Sequence, residues 1–237
     1  MKIAILTTKS THHAYFIKKI QQLKFEVDVF LEKNKVFTKY QVKHDIDKKI
    51  TDYERKKFFN NKNSLYKQYF KNVKEYQSFN SKSFVFHLSK KKYNLVIVFG
   101  AGILKKKIIK SFKNIIFNLH GGDPEIYRGL DSIYWSIFNN QYEKLVTTLH
   151  QLDYKIDTGK IFKKKKIFIC KNMKFYQVRY YNTINCVKLT YELIDRLYNK
   201  KKIFLKKQKL LGMYFTAMPK SLKSYCIKKF ENFTKQI

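Results

Sequence analysis

Residues 93–100 read Tyr-Asn-Leu-Val-Ile-Val-Phe-Gly (YNLVIVFG), and residues 114–120 read Asn-Ile-Ile-Phe-Asn-Leu-His (NIIFNLH). Each is an almost unbroken apolar run, the reading of a strand covered on both faces. Ala101–Phe112 between them predicts a turn and a helix. Working outward, Lys2–Leu6 (KIAIL) predicts a short buried strand. Thr11–Leu23 has helical spacing, with Phe16, Ile20 and Leu23 on one face. Glu26–Glu32 (EVDVFLE) alternates and predicts a second strand. A β-α-β opening favours a parallel sheet with a right-handed crossover. Asp131–Asn139 predicts a helix with an Asp cap. Leu145–Leu152 (LVTTLHQL) predicts a strand with Lys160–Cys170 as its antiparallel neighbour, and Phe175–Tyr198 has helical spacing. The class is α/β.

Residues 33–90 are rich in Lys, Asn and aromatics, hold no glycine or proline, and predict a mostly helical insertion. The lysine-rich tail from Lys200 gives no definite element, and no internal repeat is present.

The chain has 237 residues, enough for one domain with a short appendage. Hydrophobic residues make up 44%, which excludes wholesale disorder. No apolar run approaches the roughly 20 residues of a membrane span. The start has no signal-peptide pattern, and Cys170, Cys186 and Cys226 form neither a disulfide framework nor a metal pattern. The expectation is a soluble protein of the cytoplasm with no metal. The net charge of +34 would ordinarily suggest nucleic acid. Only four of the 51 basic residues are arginine, however, the residue preferred for phosphate and base contacts. The lysines spread over the whole chain, so nucleic acid is not the expected partner.

Glycine placement points to the chemistry. Six of seven glycines lie between Gly100 and Gly159, with Pro124, His120, His150 and four aspartates in the same window. Glycine concentrates where backbone turns tightly or approaches a ligand. Phe117–Pro124 (FNLHGGDP) runs off the carboxyl end of a strand, where open α/β sheets bind ligands. Asn118 and His120 are two apart and leave the strand on one face. An amide donor beside an imidazole can hold a developing oxyanion and move a proton; a polar strand end capped by a turn is the plainer reading. In Thr148–Gly159 (TLHQLDYKIDTG), His150 and Asp157 are seven apart. Asp-Thr-Gly alone is a common turn, but beside Asn118 and His120 it supplies a carboxylate.

Together these residues resemble the formyltransferases that use 10-formyltetrahydrofolate. The match is Asn118-Leu119-His120, then Gly121-Gly122-Asp123-Pro124 leading to Tyr127-Arg128-Gly129, then Asp157-Thr158-Gly159. Gly100-Ala101-Gly102-Ile103-Leu104 is similar to the loop that carries the folate pterin. The resemblance covers residues 93–162 well and the first 32 loosely. It implies a Rossmann-like catalytic domain over 1–175, a mostly parallel sheet with helices on both faces, and a C-terminal helix and tail (176–237) packed on it. It implies 10-formyltetrahydrofolate as cosubstrate and Asn118, His120 and Asp157 as catalytic residues. Asn118 would donate to the oxyanion, and His120 would stabilise it or pass the proton. Asp157 would hold His120 charged and position a water. Gly100–Leu104, Asp153 and Gly159 would contact the folate.

The acceptor is an amine. Purine-pathway members carry a glycine-rich phosphate loop after the first strand; here Thr7–His13 has no glycine, though Thr8, Lys9, Ser10, His12 and His13 remain candidate contacts. Initiator-tRNA members carry a C-terminal barrel of about a hundred residues; only about sixty follow residue 175. What remains is a small amine, a nucleotide-linked amino sugar before others, with glycinamide ribonucleotide as the alternative. An RNA-binding or formyl-folate-hydrolysing relative ranks lower. Gly121, Gly122, Tyr127, Arg128, Gly129, Arg179 and Asn182 complete the candidate acceptor contacts. Gln208, Gly212–Phe215 and Met218-Pro219 resemble a short C-terminal extension of a compact subgroup. Pairing of two copies is left open.

Overall fold

In the computed structural model the described residues are 1–33, 38–62, 67–70, 73–112 and 114–237. Strands β1 (Lys2–Thr7), β2 (Glu26–Glu32), β3 (Lys74–Tyr76), β4 (Leu95–Phe99), β5 (Ile116–His120), β7 (Val146–Gln151) and β8 (Ile161–Lys166) form one sheet, ordered β3-β2-β1-β4-β5-β7-β8. The first five run parallel, and β5–β7 and β7–β8 are antiparallel. Strand order reverses between β1 and β4, the switch point where such sheets bind ligands. A separate two-stranded sheet pairs β6 (Tyr127–Gly129) with β9 (Met213–Phe215).

The helices are α1 (Thr11–Gln21), α2 (Ile46–Phe59), α3 (Lys82–Ser89), α4 (Lys106–Ser111), α5 (Ser132–Phe138), α6 (Val178–Tyr198) and α7 (Lys220–Gln236). The strand period of two sends alternate side chains to opposite faces. Ile3, Ile5, Leu95, Ile97 and Phe99 meet Phe16, Ile17 and Ile20 of α1 and Leu189 and Leu193 of α6. Ala4, Leu6, Val96 and Val98 meet Phe84 and Leu88 of α3 and Ile108 and Ile109 of α4. Burying each large side chain is worth ~1.5–3 kcal/mol. A third core joins Tyr134 and Ile137 of α5 to Cys226 and Phe230 of α7, through Phe175 and Met218.

The expected strands and helices are present with ends shifted by up to four residues, the largest shift being at the end of β8, which stops at Lys166 rather than Cys170. Three expectations need correction. Within 33–90, the described part contains α2 and α3 but also β3, which continues the sheet beside β2; residues 34–37, 63–66 and 71–72 lie outside the described residues. β3 is only three residues, too short for a periodic signal. Asp131 stands before α5 but does not cap it with its side chain. It takes φ 53°, and its carboxylate instead accepts from the Met218 N–H and pairs with Lys223. The tail forms β9 and the 17-residue α7, whose apolar positions the lysines obscure. Among the described residues no helix is long and apolar enough to cross a membrane.

Candidate active site

The carboxyl ends of β1, β4 and β5 meet at one rim. Thr7 Oγ1 donates to the Phe99 carbonyl at 2.7 Å, tying β1 to β4. Ser10 caps α1 by accepting from the His13 N–H. Thr8 Oγ1 donates to the Gly100 carbonyl at 3.2 Å. His13 packs beneath Gly100, whose φ is 74°; a Cβ there would stand 2.5 Å from the imidazole. Burial lowers the His13 pKa from 6.5 to about 3, so it is a neutral packing residue at pH 7.

Antiparallel pairing places Asn118 opposite His150. The turn after β7 then returns Asp157 to the same spot, with φ 55°. Asp tolerates the left-handed region better than most residues. Asn118 Nδ2 donates to Asp157 Oδ1 at 3.2 Å and lies 3.3 Å from His150 Nε2. Asp157 Oδ2 lies 3.5 Å from His120 Nδ1 and accepts from the Gly129 N–H at 2.8 Å. His150 Nε2 lies 3.4 Å from Asp157 Oδ1. Burial by itself would raise the Asp157 pKa. The flanking His120 and His150 rings and the Gly129 N–H outweigh burial and hold the carboxyl well below the usual range.

Carbonyls only accept, so a ring nitrogen that faces one carries hydrogen. His120 Nε2 faces the Tyr127 carbonyl at 2.9 Å, so Nε2 carries hydrogen and Nδ1 faces Asp157. His150 Nδ1 faces the Gln151 carbonyl at 2.7 Å and carries hydrogen there, while its Nε2 faces both Asn118 and Asp157. His150 is therefore a fourth member of the cluster. Its sequence signal was the seven-residue spacing to Asp157; the cross-strand pairing with Asn118 had none.

The sequence candidates divide by position. Asn118, His120 and Asp157 converge within hydrogen-bonding reach or slightly beyond. Gly100–Leu104 forms a loop beside them at the end of β4, pinned by Glu32, which accepts from the Gly102 N–H at 2.6 Å and the Phe79 N–H at 2.9 Å. Asn80 adds bonds to the Ile103 carbonyl and the Lys105 N–H. Ile103 is 67% exposed on this loop and Leu104 is buried. Gly159 packs on the Gln151 carbonyl, where a Cβ would approach to 1.8 Å. Asp153 Oδ1 accepts from the Tyr154 N–H.

A cavity of about 280 Å³ opens beside His120, walled by His12, Gly121, Gly129, Arg179 and Asn182 among others. Gly122 stands behind it against Ser132, and its carbonyl accepts from Thr148. Two candidates do structural work instead. Tyr127 is buried, its hydroxyl donating to Gln141. Arg128 donates to the Gly212 and Ile156 carbonyls and so ties β9 to the Asp157 turn. Lys9 is not in the cavity wall; its ammonium sits 5.9 Å from the Phe70 ring. Among the described residues no group of three or more His, Cys, Asp or Glu side chains is arranged to hold a metal ion.

An amide, an imidazole and a carboxylate thus meet where β5 and β7 pair, one strand over from the switch point of the sheet. The formyl transferase family model matches residues 1–182, and the chain belongs to that family. Solved structures share the fold. The formyltransferase PseJ from Anoxybacillus kamchatkensis, in complex with UDP-4,6-dideoxy-4-formamido-L-AltNAc and tetrahydrofolate, is 18% identical with a TM-score of 0.56. The match covers 91% of this chain and 86% of that one. A 4-N formyltransferase from Francisella tularensis is 20% identical with a TM-score of 0.63, covering 91% and 76%. An N-formyltransferase from Helicobacter canadensis, solved with folinic acid and dTDP-3-aminofucose, is 21% identical with a TM-score of 0.59, covering 91% and 71%. No curated protein matches the chain.

Proposed function

We propose that this protein transfers a formyl group from 10-formyltetrahydrofolate to the amine of a small acceptor, a nucleotide-linked amino sugar. The observation that carries the reading is the convergence of Asn118, His120 and Asp157 between the Gly100–Leu104 loop and the cavity beside His120. Folate would lie on the loop and the acceptor in the cavity. The amine nitrogen attacks the formyl carbon, a C–N bond forms, and the carbonyl oxygen becomes an oxyanion. Asn118 Nδ2 has two hydrogens; the one turned toward His150 reorients to the oxyanion. His120 Nδ1 faces the same space and stabilises that oxygen or relays a proton. Collapse breaks the bond to the folate nitrogen, and the proton lost by the amine ends on that nitrogen. Asp157 stays ionised throughout the neutral range, orients His120 and can hold a bridging water. A sugar acceptor is supported by the ligands of the structural neighbours, and the cavity of about 280 Å³ has room for its sugar ring.

The test mixes purified protein with 10-formyltetrahydrofolate and, separately, UDP- and dTDP-linked amino sugars, glycinamide ribonucleotide, or buffer alone. Tetrahydrofolate release and product mass are followed. A formylated sugar is expected. Formylated glycinamide ribonucleotide alone would move the acceptor to the purine pathway, and formate release without any formylated amine would replace transfer with hydrolysis.

A further inference from the structure

Between Asp195 and Glu231 the chain has no acidic residue, and Lys200, Lys201, Lys202, Lys206, Lys207 and Lys209 fall in the first half of that stretch. Lysine alone means little in a chain so rich in it. Here, however, it is interleaved with large apolar side chains that face solvent. Phe204 is 60% exposed, Leu210 65%, and Leu211 and Met213 68% each, with Tyr214 half-exposed beside them. Contiguous apolar surface of this kind marks an interaction site.

The exposure is built into the backbone. The Lys206 N–H donates to the Ile161 carbonyl, and the Ile161 N–H donates to that of Lys206, both at 2.8 Å. Gln208 Nε2 donates to the Asp157 and Gly159 carbonyls at 2.8 and 2.9 Å. The Lys209 N–H donates to Glu125 Oε1 at 2.6 Å. Gly212 is buried with its backbone against Pro124 and Ile126, and the Met213 N–H donates to the Ile126 carbonyl at 2.9 Å. The polar backbone thus faces the protein, and Leu210, Leu211 and Met213 are held outward. Lys206, Lys207 and Lys209 are exposed around them, and the bridge of Lys206 to Ile161 brings Lys160 to the same edge. Among the described residues none of these four lysines pairs with an acid. Glu125, at the foot of the segment, is already held by Lys164.

The occupant must match lysines and aliphatic side chains together. A second copy of the chain brings the same lysines and a net charge of +34 of its own, so like charges would meet. A nucleic acid would use the lysines, but single strands stack on aromatic rings and leave leucine unused. An anionic bilayer offers both complements, phosphates for the ammonium groups and an acyl boundary for the leucines. We propose that the segment Phe204–Tyr214 docks the protein on an anionic lipid surface, with Leu210, Leu211 and Met213 entering the headgroup boundary. The docking is peripheral and does not depend on the formyl transfer proposed above.

Co-sedimentation with vesicles tests it. The full chain is titrated with vesicles of phosphatidylcholine alone and of equal parts phosphatidylcholine and phosphatidylglycerol. It is expected to bind the second and not the first, more weakly as salt is added. A lysine close to an anionic leaflet is worth about a fivefold gain in affinity, so Lys206→Gln/Lys207→Gln/Lys209→Gln should bind about a hundredfold more weakly. Leu210→Ser/Leu211→Ser leaves the charge unchanged and should weaken binding about tenfold or more. Lys43→Gln/Lys48→Gln/Lys49→Gln removes the same charge from exposed positions on and before α2, and should stay within about threefold of wild type because distant charges are screened. All these side chains are exposed, so each variant should melt as wild type does. No binding to the anionic vesicles, with or without binding of an RNA in their place, would overturn the inference. So would equal weakening in the two lysine variants, or a leucine variant that binds as tightly as wild type, since either reduces the effect to adsorption by net charge. Sedimentation velocity without lipid checks the remaining occupant. Wild type and the leucine variant should sediment alike, and a wild-type assembly that the leucine variant loses would give this face to a second copy and overturn the proposal.

Discussion

Asn118 and Asp157 show how much a single position decides here. Asn118 is only half-buried, and its side chain bonds within the polar cluster rather than in the apolar core. Asn118→Ala is therefore expected to cost about 10²–10³ in turnover, the usual effect of losing one oxyanion donor, with no more than a small change in melting temperature. Near-normal turnover in a stopped assay would remove Asn118 from the mechanism. His150 makes a different prediction. Its Nε2 faces both Asn118 and Asp157, so His150→Phe removes a partner of each while nearly keeping the ring volume. Turnover should fall with little change in either KM, and an unchanged kcat would show the ring to be packing only.

At the scale of elements, the site depends on turns that hold polar groups against strand ends. Gly129 ends β6 at φ 91°, and a Cβ there would stand 2.2 Å from the Phe215 carbonyl of β9. Gly129→Ala should cost ~2–4 kcal/mol by strain and backbone overlap, read as a lower midpoint in chemical denaturation. It should also reduce turnover, because the Gly129 N–H holds Asp157; a variant as stable as wild type would contradict this geometry. Glu32 braces the loop after β4 from the end of β2, the position at which dinucleotide-binding folds place a ribose-binding acid. Here that acid is spent on backbone. Glu32→Gln puts an amide group against two N–H donors, so the formyl-folate KM should rise while the acceptor KM stays put. Parallel rises in both would argue for general loosening.

The whole molecule carries two long-range electrostatic burdens. His13 titrates at about 3 when folded, against an ordinary value of 6.5. Between those values the unfolded chain binds a proton that the folded chain refuses. Stability therefore falls as pH drops from 6.5 toward 3, by a few kcal/mol in order of magnitude. Denaturation midpoints across that window should show the slope, to which His12, also held neutral by burial, adds; His13→Asn should make it shallower, and a wild-type curve flat from pH 7 to 4 would contradict a neutral buried His13. The second burden is the net charge of +34. Self-repulsion is screened over a Debye length of about 10 Å at 0.1 M salt. Raising salt from about 0.05 M to about 0.3 M should lift the melting temperature by a few degrees.

Much of this was legible in the residues because it is local. Apolar runs at 93–100 and 114–120 mark buried strands, since a strand covered on both faces has no polar side to show. Asn118 and His120 share a face because the strand period is two. The concentration of glycine between 100 and 159 marked the turns that the site needs. Pairing of distant segments was not legible. That His150 lies opposite Asn118 is a matter of strand register, and that α2 sets Glu54 against Arg179 while α7 brings Lys223 to the cavity is a matter of packing. Lysine on nearly every surface hid the apolar stripe of α7, and nothing local distinguishes Lys223 from the exposed lysines around it. The chain's own order thus determined the strands, the turns and the motif residues. Only folding decided which charges met, because ion pairing depends on distances between segments that sequence spacing does not encode.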